Sequence, residues 1–218
     1  MEASETVSAL LPGPNDLFPY CQARSGQDRF LEDARSCFAS RTHLLAHAPT
    51  GLGKTAVSLS SGLESSLGNG FLFFLTARQS QHAVAIETLR HIWKRRRIAA
   101  VDLVAREDMC LSRRRNGSVP CLEGDPCYFL SHSPEEATER MLAYPMHVQE
   151  SMRLCLRLGT CPYMAAMRAL ERADVAVADY NHVFLPGRAS ALSRTGREGA
   201  DTLIIVDEAH NLPHRLMD

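Results

Sequence analysis

An α/β domain built around a parallel β-sheet is the fold this sequence predicts, and three observations carry the prediction. Short apolar runs alternate along the chain with longer segments whose apolar residues recur at helical spacing. The run Phe71-Leu72-Phe73-Phe74-Leu75 is apolar at every position, as in a strand covered on both faces. Two stretches rich in chemistry, Ala48-Pro49-Thr50-Gly51-Leu52-Gly53-Lys54-Thr55 and Asp207-Glu208-Ala209-His210, each follow an apolar run. They therefore fall at the carboxyl ends of strands, where parallel sheets hold their ligands.

The elements follow in order. Residues 41–48 carry the apolar Leu44, Leu45 and Ala46 into a Gly-rich turn, and 54–67 has helical character, so the pattern predicts strand, loop, helix. Gly70 precedes a second strand at 71–75, and 76–97 follows as a helix with Ile86, Leu89 and Trp93 on one stripe. Residues 98–104 predict a third strand. After an interruption, Pro162 opens a helix over 161–171, residues 173–178 form a fourth strand, and 202–206 form a fifth that delivers Asp207 at its end.

Between 106 and 160 the strand–helix rhythm breaks into a segment rich in Arg, Cys, Pro and Gly, with one charged helix predicted at 134–142. About 55 residues are too few for a stable independent core without a staple, so this insertion is expected to hold a small core of its own around a metal centre.

Composition narrows the classes. The 218 residues are 45% hydrophobic and 22% charged, ordinary for a globular chain. No apolar run approaches the ~20 residues needed to cross a bilayer, and residues 1–14 lack the basic and apolar blocks of a signal peptide. A cytoplasmic location without membrane contact is expected. Seven cysteines in a reducing compartment then read as metal or cluster ligands or as core thiols, not as disulfides. The net charge of −1 hides a local excess: residues 88–120 hold nine Lys/Arg against three Asp/Glu. Such a patch can follow a polyanion.

The Gly-rich stretch has the form of a phosphate cradle of the P-loop NTPase type. Gly51 and Gly53 permit backbone conformations that turn N–H groups inward, and a helix N-terminus stands behind them. Thr50, Gly51, Leu52, Gly53, Lys54 and Thr55 are thus candidate ATP-binding residues, with Lys54 on the β- and γ-phosphates and Thr55 on Mg²⁺. The alternative is a plain Gly-rich turn. Asp207 is placed to hold the same Mg²⁺, and Glu208 to orient and deprotonate the attacking water, so Lys54, Asp207 and Glu208 are the catalytic candidates. Taken alone, Asp-Glu after a strand also fits a solvated helix start. Upstream, Phe18-Pro19-Tyr20 and residues 24–27 fit either an adenine-contacting edge, with Gln27 bonding the base, or an N-terminal docking segment.

Phe18-Pro19-Tyr20 with Gln27, the phosphate loop, Leu75-Thr76-Ala77-Arg78-Gln79-Ser80-Gln81-His82, the cysteines, Cys161-Pro162-Tyr163 and Asp207-Glu208-Ala209-His210 together resemble the iron–sulfur DNA helicases of superfamily 2, the XPD/DinG family. The resemblance runs from Phe18 to Leu212. It implies a RecA-like motor domain, the DEAH-box half of an ATP-dependent 5′–3′ helicase of DNA repair, with a [4Fe–4S] cluster in the insertion. The implied division is a tail at 1–17, motor domain 1 at 18–105 and 162–218, and the cluster insertion at 106–161.

Carried over residue by residue, the implied cluster ligands are Cys110, Cys121, Cys127 and Cys161, with Cys155 left as a core thiol. Five residues separate Cys121 from Cys127, so zinc remains open beside iron–sulfur, as do unligated cysteines. Thr76 and Arg78 are the implied DNA-phosphate contacts. Residues 94–97 and 113–115 are either further phosphate contacts or solvated charge. Single-stranded DNA and duplex junctions are the implied partners. The chain stops eight residues after His210, so a second motor domain is expected in a separate or truncated segment. On that expectation the chain alone binds nucleotide weakly and holds a cluster without unwinding DNA. The competing readings are an ATP-dependent switch and a metal-stabilised nucleic-acid-binding module.

Overall fold

The computed structural model describes residues 17–68, 70–184 and 201–217. In chain order the helices are α1 (Gln27–Ser40), α2 (Lys54–Ser66), α3 (Gln79–Arg95), α4 (Arg106–Met109), α5 (Glu135–Ala143), α6 (Val148–Leu158), α7 (Pro162–Leu170), α8 (Asn181–Phe184) and α9 (Leu212–Met217). The strands are β1 (Phe71–Thr76), β2 (Ala100–Leu103), β3 (Val175–Asp179) and β4 (Thr202–Val206). They form one sheet in the order β2-β3-β1-β4, and every pairing is parallel.

β1 is central because its sequence tolerates nothing else. All six residues are buried, and Phe73 lies opposite Ala176 on one side and Ile204 on the other. Alternation then divides the strand between two cores. Phe71, Phe73 and Leu75 join Val101, Leu103, Ala176 and Ala178 under α4 to α7, while Leu72 and Phe74 join Val175 and Val177 under Leu59 and Leu63 of α2 and Ile86, Leu89 and Ile92 of α3. Helices on both faces of a parallel sheet make the predicted α/β sandwich. α1 lies outside α2, joined through Phe18, Leu31, Ala56 and Val57. Among the described residues no helix is long and apolar enough to cross a membrane.

Two expectations are corrected. The strand predicted at 41–48 is absent: residues 42–49 carry no ladder, and Leu45 is 93% exposed. A strand needs a partner, and the neighbour of β4 on its outer side is missing among the described residues, with Ile204 40% exposed there. The insertion also lacks the separate core expected of it. Ala137 and Met141 of α5, with Val148 and Cys155 of α6, belong to the same cluster as Phe73 and Leu75 of the sheet. Borrowing that face removes the need for a core of its own, and only the turns around residues 110–130 remain thinly packed.

Candidate functional site

The phosphate loop connects residues 42–49 to α2. Gly51 and Gly53 adopt φ of 87° and 84°, the left-handed region that side chains avoid. Gly53 is constrained twice, because a Cβ there would collide with the amide nitrogen of Gln27. That amide is a clamp: its Nε2 donates to Leu52 O at 2.5 Å and its Oε1 accepts from Arg24 N at 2.7 Å. Gln27 is buried against the loop, and contacting a base requires it to exchange these partners. Lys54 Nζ donates to Ala48 O at 3.0 Å, folded onto its own loop.

Asp207 emerges from β4 with its N–H on Leu75 O at 2.8 Å, so the end of β1 fixes its backbone. Burial, with the neighbouring Glu208 charge, pushes its carboxyl up, while Lys54 pulls it down. Glu208 has φ 52°, left-handed for a residue with a side chain, and its carbonyl accepts from Asn211 N at 2.9 Å and Asn211 Nδ2 at 3.2 Å. His210 Nδ1 lies 3.4 Å from Glu208 Oε2.

Beside this site, Thr76, Ala77, Gln79, Asp179, Tyr180 and Asn181 line a polar cleft of about 210 Å³ at the ends of β1 and β3. Of the two residues predicted to contact DNA, Arg78 is exposed at the start of α3, whereas Thr76 is buried with Oγ1 donating to Arg78 O at 3.2 Å. The basic runs are partly committed to the protein. Arg97 stacks on Trp93, Arg95 reaches Tyr20 O, Arg113 pairs with Asp108, and Arg114 bridges Glu123 and Asp125.

Cys110, Cys121, Cys127 and Cys161 line one cavity with Arg106, Val119, Phe129 and Tyr163. Cys110 follows α4, Cys121 sits in a short 3-10 turn, Cys127 immediately precedes another, and Cys161 is the N-cap of α7, where Pro162 starts the helix. Burial raises the Cys110 and Cys161 thiols, and the N–H groups of Tyr163 and Met164 work against that at Cys161. Amide donors aimed at a sulfur favour its thiolate, the form that binds metal. Cys155 is apart: fully buried in the sheet core, its thiol is pushed up to about 12 by burial. Among the described residues no three His, Cys, Asp or Glu side chains converge on a single-ion site.

One buried network escaped the sequence reading. His82 of α3, fully buried, places Nδ1 2.5 Å from Asp102 Oδ1 and Nε2 3.4 Å from Asp179 Oδ1. The second Asp102 oxygen accepts from Val148 N at 2.7 Å, tying α6 to the sheet. An aspartate amid the apolar residues of β2 was the available signal, since a buried carboxylate requires a partner. Burial alone lowers the imidazolium, but the hydrogen bonds and charges of Asp102 and Asp179 outweigh it and raise His82 to about 9 from 6.5. A raised folded-state value stabilises fully below pH 6.5 and is lost as pH climbs through 9. Denaturant titrations should therefore show stability falling by about 3 kcal/mol across that window. In His82→Gln the window should flatten, and a wild-type chain equally stable at pH 6 and 9.5 contradicts the assignment.

The DEAD_2 family model matches residues 74–218. The XPD helicase subunit of general transcription and DNA repair factor IIH from Arabidopsis thaliana is 23% identical over 231 aligned positions, covering 89% of this chain and 30% of that protein. The ATP-dependent DNA helicase XPD of Sulfolobus acidocaldarius is 25% identical over 187 positions, covering 85% of this chain and 32% of that protein. A solved structure described as an XPD helicase matches with a TM-score of 0.62 at 22% identity, over 88% of this chain and 33% of that one, a likeness of fold. The chain thus spans about a third of the length of these relatives. It belongs to the DEAD_2 family.

Proposed function

We propose that this chain is the ATP-binding and hydrolysing part of a DNA helicase that moves 5′ to 3′ on single-stranded DNA. The observation that carries the reading is the combination of a loop of left-handed glycines opening α2 at Lys54 with a left-handed acidic turn at the end of β4. Phosphates would lie on the N–H groups of residues 50–55, with Lys54 leaving Ala48 O to take them. Thr55 and Asp207 would hold Mg²⁺, which neutralises charge developing on the transferred phosphoryl group. A carboxyl raised by burial and then by the neighbouring Glu208 carboxylate suits a cation site. Glu208 orients the attacking water and takes its proton.

Arg78 and the polar cleft beside it offer the DNA contact, through backbone phosphate rather than base edges, so binding is expected to be salt-dependent and indifferent to sequence. Cys110, Cys121, Cys127 and Cys161 supply the four thiolates of a [4Fe–4S] cluster, a donor set supported by their shared cavity and by the amides on Cys161. The cluster would fasten the turns at 110–130 to α7. Titration of ATP–Mg²⁺ into the chain, with and without single-stranded DNA, tests the reading.

A further inference from the structure

The carbonyls of Asp207 and Glu208 both face one side chain that no motif marks. Tyr180, 2% exposed, directs its hydroxyl to Asp207 O and, at 3.0 Å, to Glu208 O. Tyr180 follows β3 and Asp207 follows β4, two strands separated by β1, so the hydroxyl joins the ends of strands that are not neighbours. The phenol combines a rigid ring with a terminal donor.

The backbone that carries the ring is held at both ends. Asp179, just before it, pairs with Thr76 in the β1–β3 ladder and sits against His82. Tyr180 O accepts from Val183 N at 3.1 Å and Phe184 N at 3.0 Å, which starts α8. The group it touches is strained. Glu208 keeps φ at 52°, which a residue with a Cβ maintains only where its surroundings impose it. Tyr180 Oη and Asn211 N and Nδ2 are the donors gathered on this turn.

We propose that Tyr180 is a positioning residue for Glu208: its hydroxyl, on the Asp207 and Glu208 carbonyls, holds the left-handed turn that aims the Glu208 carboxylate. This rests on the ATPase reading above. Its hydroxyl bonds the carbonyls of the acidic turn, so its loss is expected to act on the chemical step and not on nucleotide affinity. Because Asp179, Tyr180 and Asn181 also line the polar cleft, the same residue connects that cleft to the hydrolytic carboxylate.

Single-turnover ATP hydrolysis by the full chain, in excess over ATP, tests the proposal with Tyr180→Phe, Asn211→Ala, the double variant and a Glu208→Gln control. Tyr180→Phe should lower the rate constant roughly tenfold to a hundredfold. The half-saturating chain concentration should stay within about twofold and the thermal midpoint should fall by about 2–4 °C. Asn211→Ala should show the same split, and the double variant should lose less than the product of the two, since both secure one turn. A Tyr180→Phe chain as fast as wild type, beside a slow Glu208→Gln, overturns the proposal. Affinity lost in step with rate overturns it too, by giving Tyr180 a purely structural role. A Glu208→Gln chain as fast as wild type would instead remove the ATPase reading on which it rests.

Discussion

Replacing Glu208 by glutamine is expected to slow ATP hydrolysis by roughly 10²–10⁴-fold while leaving ATP–Mg²⁺ affinity close to that of the wild type. The amide keeps the size of the side chain and its place on the turn after β4, but cannot accept the proton of the attacking water. The phosphate loop, Lys54 and Asp207 are untouched, so binding survives. The separation of rate from affinity is the informative part, because a misfolded site loses both. Single-turnover rates and a fluorescent-nucleotide titration on the same preparation measure the two quantities. Equal rates in wild type and variant would show that Glu208 does no chemistry.

Serine at any one of Cys110, Cys121, Cys127 or Cys161 should abolish the visible absorption of the anaerobically purified chain and lower its iron well below the about four atoms per chain of an intact cluster. A hydroxyl is a far poorer ligand for iron than a thiolate, and three ligands hold such a cluster weakly. Loss of the cluster should also loosen residues 110–130. That stretch consists of short turns with Leu122 and Tyr128 exposed, otherwise joined by surface ion pairs of Arg113 and Arg114, which contribute little. Faster hydrogen exchange confined to those turns is the expected signature. Cys155→Ala is the contrasting case: it opens a gap under the sheet and lowers the thermal midpoint, yet keeps the iron. Colourless protein carrying zinc would replace the cluster by a single metal, and iron retained in all four serine variants would contradict the ligand set.

What could be read from the sequence was what local patterning determines. The uninterrupted apolar run of β1 demands burial on both faces, and Gly51 and Gly53 demand a left-handed loop, whatever surrounds them. Residues 42–49 were not legible in this way, because an extended apolar segment becomes a strand only beside another, and none lies next to it among the described residues. The insertion misled for a related reason. Its length argued for a core of its own, but α5 and α6 draw on the sheet's core, which no window of sequence reveals. Gln27 was read either as a base contact or as part of a docking segment, and nothing in its spacing told of the bonds its amide makes to Leu52 O and Arg24 N. Tyr180 and His82 owe their interest to partners 27 and 20 residues away, a pairing that follows from the β2-β3-β1-β4 order and not from spacing.

The central claim is that the loop at residues 50–55 and the turn at 207–208 form one ATP–Mg²⁺ site. Equilibrium titration of a fluorescent ATP analogue, with Mg²⁺, into wild type and Lys54→Ala tests it most directly. Saturable binding of one nucleotide per chain, weakened at least roughly tenfold by the alanine, is the predicted result, since the ammonium is the loop's only full charge on the phosphates. Indistinguishable curves for the two proteins, or no saturable binding by the wild type, would contradict it.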